Sequence, residues 1–141
     1  MITYIDTSFL IKAYVPEKES PEVAGIVADL RGDGAIGRLV DIEMASALHR
    51  KLSLQDVVKV YADYQQDRKA DAYQELEIDN RVFELAKTLA ERHASRFQLR
   101  SLDIIHLAVA LHHGIGAFAT YDVRLAAAVV ALGLRRLPLS S

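Results

Sequence analysis

The sequence contains 141 residues, of which 51% are hydrophobic and 26% are charged, with 17 Lys and Arg against 19 Asp and Glu. This length suits a single domain with a substantial buried core, which we expect to span residues 1–141. The absence of cysteine excludes a disulfide framework, a thiolate zinc site and a thiol nucleophile. The net charge of −2 argues against a broadly basic protein that coats nucleic acid.

The sequence has no segment typical of targeting or of membrane insertion. Asp6 and Lys12 interrupt the apolar residues at the amino terminus, and no basic leader precedes them. The longest apolar stretch, over residues 125–134, is shorter than the roughly 20 residues that span a bilayer. We therefore expect a cytoplasmic protein with no membrane partner.

The first half of the chain alternates between short apolar runs and segments with helical spacing of apolar residues. Residues 1–5 are rich in β-branched and aromatic side chains, which predicts a buried strand. A helix is expected to begin at Ser20, where a capping serine precedes a proline, and to end before Gly32. The other elements predicted in this half are a helix over 8–14, a strand over 34–37, and helices over 40–52 and 54–70.

The second half continues the alternation of strands and helices. Asp79 or Asn80 caps a predicted helix that follows a strand over residues 74–78. The remaining predicted elements are a helix over 101–114, a strand over 117–120, a helix over 123–133 and a strand over 135–137. Strands separated by helices pair in parallel through right-handed crossovers. The sequence therefore predicts an α/β protein with a central, mainly parallel sheet of about five short strands.

Four acidic residues lie near predicted strand ends. Asp6 directly follows the first strand, and Asp122 follows the fourth. Asp103 lies in the first turn of the helix before that fourth strand, and Glu43 lies near the start of the helix after the second. Functional groups of parallel sheets gather beyond the carboxyl ends of the strands. Two unit charges ~4 Å apart repel by roughly 4 kcal/mol at an effective dielectric of ~20, so such a cluster must either bind protons or bind a cation. Mg²⁺ and Mn²⁺ are the cations that suit oxygen ligands.

Each acid also has a purely structural interpretation, and the residues alone leave both open. Asp6 suits a helix cap, Asp103 complements a helix dipole, Asp122 suits an Asx turn, and Glu43 alone suits a solvated helix face. Asp41 is a further acid close to Glu43. Because positions two apart on a helix do not share a face, we prefer Glu43 for the cluster.

The acids lie in four segments of the sequence, which read YIDTSFLIK, DIEMASALHR, LRSLDIIHLAVA and AFATYDVRLAAAVVALG. In order and over nearly the whole chain, these segments resemble the motifs of PIN-domain ribonucleases. The resemblance is strongest to the small VapC-type toxins of prokaryotic toxin–antitoxin systems. It implies a PIN-like three-layer α/β/α fold and a metal-dependent endoribonuclease in which water attacks the phosphodiester and leaves a 5′-phosphate on one product.

The resemblance also implies which residues carry out the chemistry. The acids that bind Mg²⁺ or Mn²⁺ and act in catalysis are Asp6, Glu43, Asp103 and Asp122. The nearby hydroxyls that orient ligands or water are those of Ser8 and Thr120. The run GRLVDIE departs from the family pattern, which often has a small or hydroxyl residue shortly before this glutamate.

An RNA substrate requires positive charge near the acids, because RNA is an anion and this chain is mildly acidic. Three arginines spaced four residues apart precede the Asp103 helix, with an interleaved Phe97 that suits base stacking. The residues predicted to contact RNA are Lys12, Arg92, Arg96, Arg100 and Arg124. Arginine on an outer helix face is also commonly just solvated, and that interpretation stays open.

The resemblance further implies a cognate antitoxin protein and self-association as a homodimer. The helix that carries Tyr61 and Tyr64, with Val57 and Val60, offers either a contact surface or part of the core. His106 shares a helix face with Asp103, a spacing that is also found in metal-binding pairs. We prefer to interpret it either as a histidine that supports a metal ligand or as a buried histidine whose hydrogen bonds are satisfied. The alternative function is a catalytically degenerate PIN fold that binds RNA or protein, which the presence of all four acids disfavours.

Overall fold

A computed structural model describes residues 1–139 of the protein, so the last two residues of the predicted domain, 140 and 141, lie outside the described residues. Within this range the strands are β1 (Thr3–Ile5), β2 (Gly34–Gly37), β3 (Gln74–Leu76), β4 (Ala117–Ala119) and β5 (Arg135–Leu137). They form one sheet in the order β3-β2-β1-β4-β5, and every neighbouring pair is parallel. The prediction of a parallel sheet of about five short strands is confirmed.

Helices connect the strands. They are α1 (Thr7–Leu10), α2 (Ser20–Leu30), α3 (Leu39–Lys51), α4 (Leu54–Lys69), α5 (Asn80–Phe97), α6 (Ser101–His112) and α7 (Val123–Ala131). Across residues 1–139, none of these helices combines the length and the apolar character that crossing a bilayer requires.

Several predicted elements differ from the structure by one or two residues at an end, and two of the differences have a clear physical reason. The helix expected over residues 8–14 divides into α1 and a 3₁₀-helix at Ile11–Ala13, where the amide of Tyr14 bonds the carbonyl of Ile11 ahead of Pro16. The strand expected over residues 74–78 ends at Leu76, because Leu76 pairs with Gly37, the last residue of β2.

The sheet separates two apolar cores, and side chains along its strands alternate between them. On β1, Tyr4 packs among residues of α5, α6 and α7, whereas Ile5 packs among residues of α1 to α4. On β4, Phe118 and Ala119 divide in the same way. Helices therefore cover both faces of the sheet, and the predicted three-layer α/β/α architecture is confirmed.

Helix α4 contributes to the second of these cores. Val57 and Tyr64 are buried, and Val60 and Tyr61 pack partly buried against the same cluster. The structure therefore assigns this face of the helix to the core, and a contact surface on α4 would have to use other side chains. Homodimer formation stays a prediction.

Candidate active site

Asp6 is held at the end of the central strand by three hydrogen bonds. The residue is buried, with 3% of its surface exposed, and it caps α1. Its Oδ1 accepts from the hydroxyl of Ser8 at 2.7 Å and from the amide of Phe9 at 3.1 Å, and its Oδ2 accepts from the hydroxyl of Thr120 at 2.7 Å. Burial raises the pKa of Asp6, and these hydrogen bonds offset only part of that effect. The capping role of Asp6 is thus confirmed, and its place in the acidic cluster stays a prediction.

Ser8 and Thr120 connect Asp6 to the loop that carries Asp122. The hydroxyl of Ser8 accepts from the amide of Tyr121 at 3.0 Å, and the hydroxyl of Thr120 accepts from the amide of Asp122 at 3.0 Å. Since each hydroxyl donates its proton to Asp6, both are fully engaged. Their predicted role in orienting ligands or water therefore acts through the carboxylates that they position.

Asp103 and Asp122 face each other across a cavity of about 370 Å³ that both residues line. Oδ2 of Asp103 accepts from the amide of Arg100 at 3.2 Å, while Oδ1 of Asp122 caps α7 by accepting from the amides of Arg124 and Leu125. The second oxygen of each carboxylate accepts no hydrogen bond from residues 1–139. Burial raises the pKa of Asp103, and the nearby negative charges of Asp122 and Glu43 raise it further.

Glu43 reaches the same region from α3. Its Oε1 accepts from the hydroxyl of Thr7 at 2.8 Å and from Nε2 of His106 at 2.5 Å. Partial burial alone would raise the pKa of Glu43, but the contacts with His106 and Thr7 outweigh it and hold this pKa below its usual value. Glu43 is therefore a carboxylate at neutral pH.

Asp41 points away from this cluster, toward α4. Its carboxylate accepts from the hydroxyl of Tyr64 at 2.6 Å and from the guanidinium of Arg68 at 2.9 and 3.1 Å. The two acids of α3 are thus divided between a structural ion pair and the cluster, and Glu43 is the one that the structure brings to Asp103.

Tyr4, Thr7 and His106 are the neighbours of Glu43 that the sequence did not assign to the site. The hydroxyl of Tyr4 lies 2.5 Å from Nδ1 of His106. The interpretation of His106 as a buried histidine with satisfied hydrogen bonds agrees with this geometry, since it is 2% exposed and bonded through both nitrogens. Its position three residues after Asp103, on the same face of α6, was the feature of the sequence that could have indicated a place near the acids.

The four acids suit a hard divalent cation by their chemistry. They offer only oxygen donors, and burial, the main cause of the raised pKa of Asp6 and of Asp103, disfavours their negative charge unless a cation is bound. In residues 1–139, no group of three acidic or histidine side chains is close enough together to hold one ion. Because Mg²⁺ usually takes one or two carboxylates and keeps several waters, Asp103 and Asp122, each with a free oxygen, fit it best.

Three arginines surround the acids. Arg100 lies at the start of α6 and lines the cavity of Asp103 and Asp122, together with Arg124. A neighbouring cavity of about 470 Å³ is lined by Glu43, Asp103, Arg50 and again Arg100. The sequence did not predict Arg50 as an RNA contact, although its place seven residues after Glu43 puts both on one face of α3.

The predicted arginine series does not continue along a single helix. Helix α5 ends at Phe97, and Gln98 adopts a left-handed backbone conformation with φ of 55°, so Arg100 belongs to the next helix. Arg92 and Arg96 stay exposed on α5 and line neither acidic cavity. The guanidinium of Arg96 lies 4.6 Å from the ring centre of Phe97, whose face it covers.

Lys12 is placed differently from the sequence-based prediction. Its ammonium donates to Glu17 at 2.6 Å and to Glu19 at 3.0 Å, and it lies 5.2 Å from the ring centre of Tyr121. These contacts neutralise its charge and leave only 15% of the side chain exposed. Lys12 therefore stabilises the segment between α1 and α2, and we leave it out of the RNA surface proposed below.

Each residue of the loop between β4 and α7 makes a contact that holds it in place. Arg136 of β5 donates two hydrogen bonds, of 3.1 and 2.8 Å, to the carbonyl of Thr120. Tyr121 stacks on Phe9 with ring centres 5.5 Å apart, and its hydroxyl donates to Glu22 at 2.5 Å. Asp122 is thus presented to the cavity by a rigid support.

Solved structures with the same fold include VapC20 of Mycobacterium tuberculosis, described as a toxin that cleaves the sarcin-ricin loop. It superimposes with a TM-score of 0.73 at 20% identity, covering 89% of this chain and 94% of that one. FitAcB of Neisseria gonorrhoeae gives a TM-score of 0.72 at 15% identity, covering 96% of both chains. A toxin–antitoxin complex from Klebsiella pneumoniae gives 0.62 at 19% identity, covering 85% and 86%.

Sequence comparisons identify relatives over the same range. Ribonuclease VapC46 of M. tuberculosis is 32% identical over 135 residues, which cover 93% of this chain and 92% of that protein. The PIN domain family matches residues 3–130. A match of this extent, together with the parallel sheet and the acids at its carboxyl edge, shows that the chain belongs to the PIN-domain family.

Proposed function

We propose that the chain is a divalent-metal-dependent endoribonuclease that hydrolyses phosphodiester bonds in RNA, and that it acts as the toxin of a toxin–antitoxin pair. The observation that carries the proposal is the placement of Asp103 and Asp122 across a cavity that Arg100 and Arg124 also line. Paired carboxylates with free oxygens suit a cation, and flanking arginines suit a phosphate. The similarity to ribonuclease VapC46 over most of both chains supports the same class of reaction.

The acids have distinct tasks in this proposal. Asp103 and Asp122 hold Mg²⁺ or Mn²⁺, and Asp6 contributes negative charge from its buried position at the end of β1. When bound, the ion supplies Lewis-acid stabilisation of the charge that develops on the phosphate and makes water a better nucleophile. Glu43 is ionised, and its Oε2 accepts a proton from the attacking water. Arg50, Arg100 and Arg124 hold the phosphates of the RNA on either side.

A protein antitoxin is the partner that we propose besides RNA. One relative of the same fold was solved as a toxin–antitoxin complex, which supports this kind of partner. Three aliphatic side chains adjacent to the acids are exposed, namely Ile42, Leu102 and Val123. Exposed apolar surface beside a charged site is typical of protein contact surfaces. The proposal includes a homodimer and a cytoplasmic location, which follow from the resemblance to VapC-type toxins.

The test is cleavage of total RNA by the purified protein with Mn²⁺ or Mg²⁺, followed by mapping of the product ends. We expect cleavage that stops when a chelator is added, that returns with excess metal and that leaves 5′-phosphates. Cleavage that persists in the chelator would contradict the metal-dependent mechanism. Metal-independent binding of RNA without cleavage would instead support the degenerate binding module.

A further inference from the structure

A chain of hydrogen bonds runs from the centre of the sheet to Glu43. The amide of Gly37 donates to the hydroxyl of Tyr4 at 3.3 Å, the hydroxyl of Tyr4 meets Nδ1 of His106 at 2.5 Å, and Nε2 of His106 meets Oε1 of Glu43 at 2.5 Å. Tyr4 is completely buried and His106 almost so. This chain joins β2, β1, α6 and α3, and its central pair, Tyr4 and His106, lies 102 positions apart in the sequence.

The positions of the protons in this chain follow from counting donors and acceptors. Each buried polar side-chain atom of residues 1–139 has a hydrogen-bond partner. Tyr4 accepts from Gly37, and its own proton is satisfied only when it is donated to the one remaining partner of the hydroxyl, Nδ1 of His106. Nδ1 then carries no proton. The proton of the ring therefore lies on Nε2, which donates it to Oε1 of Glu43.

We propose that Tyr4 and His106 are positioning residues for Glu43. Tyr4 fixes the Nε2-protonated tautomer of His106, and that tautomer holds Oε1 of Glu43 together with the hydroxyl of Thr7. Oε1 is thereby committed to the protein, and Oε2 is left for the chemistry. The inference rests on the proposed function in which Glu43 works at the site.

Gly37 is the first member of this arrangement, and a side chain at this position would crowd Tyr4. A Cβ at this position would lie 3.0 Å from the hydroxyl oxygen of Tyr4 and 3.3 Å from Cδ1 of Ile78. Both contacts are tighter than ordinary van der Waals distances. The glycine thus allows the end of β2 to approach Tyr4 closely enough for its amide to reach the hydroxyl.

The tautomer is tested on the metal-free protein by ¹H–¹⁵N long-range correlation of labelled histidines at one fixed pH. We expect His106 to be protonated at Nε2 and unprotonated at Nδ1, with its signals assigned by their loss in His106→Gln. Tyr4→Phe should change this pattern, because Nδ1 loses its donor. Tyr73→Phe is the matched control, since it removes a buried hydroxyl that bonds Tyr14 on the other side of the sheet.

Cleavage assays test whether the arrangement serves the reaction. His106→Ala should lower kcat by roughly 10–100-fold, the effect typical of removing a partner of a metal-site carboxylate, while KM for RNA changes little. His106→Gln should restore part of the loss, because its amide nitrogen can donate to Glu43 in place of Nε2. His49→Gln on the exposed face of α3 should behave as wild type.

The two proposals fail in different ways. A wild-type protein without metal-dependent cleavage would overturn the proposed function. A wild-type His106 protonated at Nδ1, or a pattern unchanged in Tyr4→Phe, would overturn the positioning proposal even in an active enzyme. Equal loss of kcat in His106→Gln and His106→Ala at equal thermal stability would also overturn it.

Discussion

The hydroxyl of Thr120 donates a hydrogen bond of 2.7 Å to Oδ2 of Asp6, although 114 positions separate the two residues in the chain. Asp6 follows the central strand β1 and Thr120 follows its neighbour β4, so the parallel pairing of these strands brings them together. The bond links the buried carboxylate to the loop that presents Asp122.

Asp6→Asn should abolish cleavage while the protein stays folded. The amide oxygen of asparagine can accept from Ser8 and Phe9 as before, and the hydroxyl of Thr120 can rotate to accept from the amide nitrogen. The negative charge is lost, and loss of charge stabilisation worth several kcal/mol at a metal site corresponds to at least about 100-fold in rate. The measurement is single-turnover cleavage of a defined RNA.

The matched control for this change is Asp63→Asn, at an exposed position on α4. Circular dichroism and thermal unfolding should show both variants folded. Wild-type cleavage rates in Asp6→Asn would remove this residue from the metal site.

Asp103→Asn should stabilise the metal-free protein and remove its response to metal. Because burial and the charges of Asp122 and Glu43 raise the pKa of Asp103, its ionised form costs stability. That cost is absent below the ordinary value of 3.8 and grows as the pH rises through the raised pKa. We expect Tm at neutral pH to increase by roughly 2–4 °C, the shift that about 1 kcal/mol produces in a chain of this size.

Thermal unfolding with and without Mn²⁺ checks this prediction. Binding to the native state raises Tm of the wild type with increasing metal concentration. The variant should start higher and respond little. A lower Tm of metal-free Asp103→Asn would contradict the charge-repulsion argument.

Asp41→Asn and Glu43→Gln should separate stability from activity, although the two acids are neighbours on α3. Partial burial would raise the pKa of Asp41, but hydrogen bonds from Arg68 and Tyr64 outweigh it and lower this pKa. The ionised carboxylate therefore adds stability above its ordinary value of 3.8, and the contribution is lost as the pH falls through the lowered pKa.

Denaturant unfolding should show Asp41→Asn destabilised by about 1 kcal/mol at most at pH 7, since the pair is partly exposed, with the difference vanishing in acid. Its cleavage rate should stay near that of the wild type. Glu43→Gln should combine a large loss of cleavage with some loss of stability, because the contacts with His106 and Thr7 also lower the pKa of Glu43. A comparable loss of cleavage in both variants would assign Asp41 to the site.

The positions of the arginines predict that one pair contributes to RNA binding and that another pair does not. Replacing Arg100 and Arg124 together by glutamine should weaken binding of single-stranded RNA and reduce the slope of log affinity against log salt by about 0.7 for each phosphate that the protein no longer neutralises. Replacing Arg92 and Arg96 together removes the same charge on the exposed face of α5 and serves as the matched control.

Binding isotherms at several salt concentrations, measured in Asp6→Asn to prevent cleavage, decide between the two surfaces. Equal weakening by both pairs would extend the RNA surface along α5, as the sequence predicted. An unchanged slope in the Arg100 and Arg124 variant would place the RNA elsewhere.

Arg136→Met should loosen the loop that carries Asp122, because the carbonyl of Thr120 loses both guanidinium donors. We expect a weaker affinity for Mn²⁺, by roughly 10-fold, and faster amide exchange over residues 120–122. Arg135→Met, on the same strand but exposed, is the control. Unchanged exchange in Arg136→Met would show that the loop is held without this clamp.

The sequence was sufficient to predict the parts of the site that depend on local order. Asp6, Asp103 and Asp122 were predicted from their positions at strand and helix ends, since parallel pairing brings such ends to one edge. Two caps that start helices, at Asp6 and Asp79, were recognised because a capping side chain bonds within a few residues of itself, whereas Asp122, interpreted as an Asx-turn residue, is a third cap.

The parts that the sequence did not predict depend on long-range register or on single backbone angles. The link from Tyr4 to His106 spans 102 positions, and nothing local to either residue specifies the other. The left-handed conformation of Gln98 divided a continuous arginine spacing between two helices. In the sequence, nothing distinguishes Arg136 from any other polar residue of an edge strand, because its contact with Thr120 depends on the pairing of β5 with β4.

The place of β5 at the edge of the sheet has a consequence for the timing of activity. Asp6 precedes Arg136 by 130 residues, and Arg136 holds the loop that completes the surroundings of Asp6. A growing chain therefore lacks the support for Asp122 until β5 has been made and has paired with β4. We expect the proposed nuclease activity to reach its full level only after this last strand of the sheet is in place.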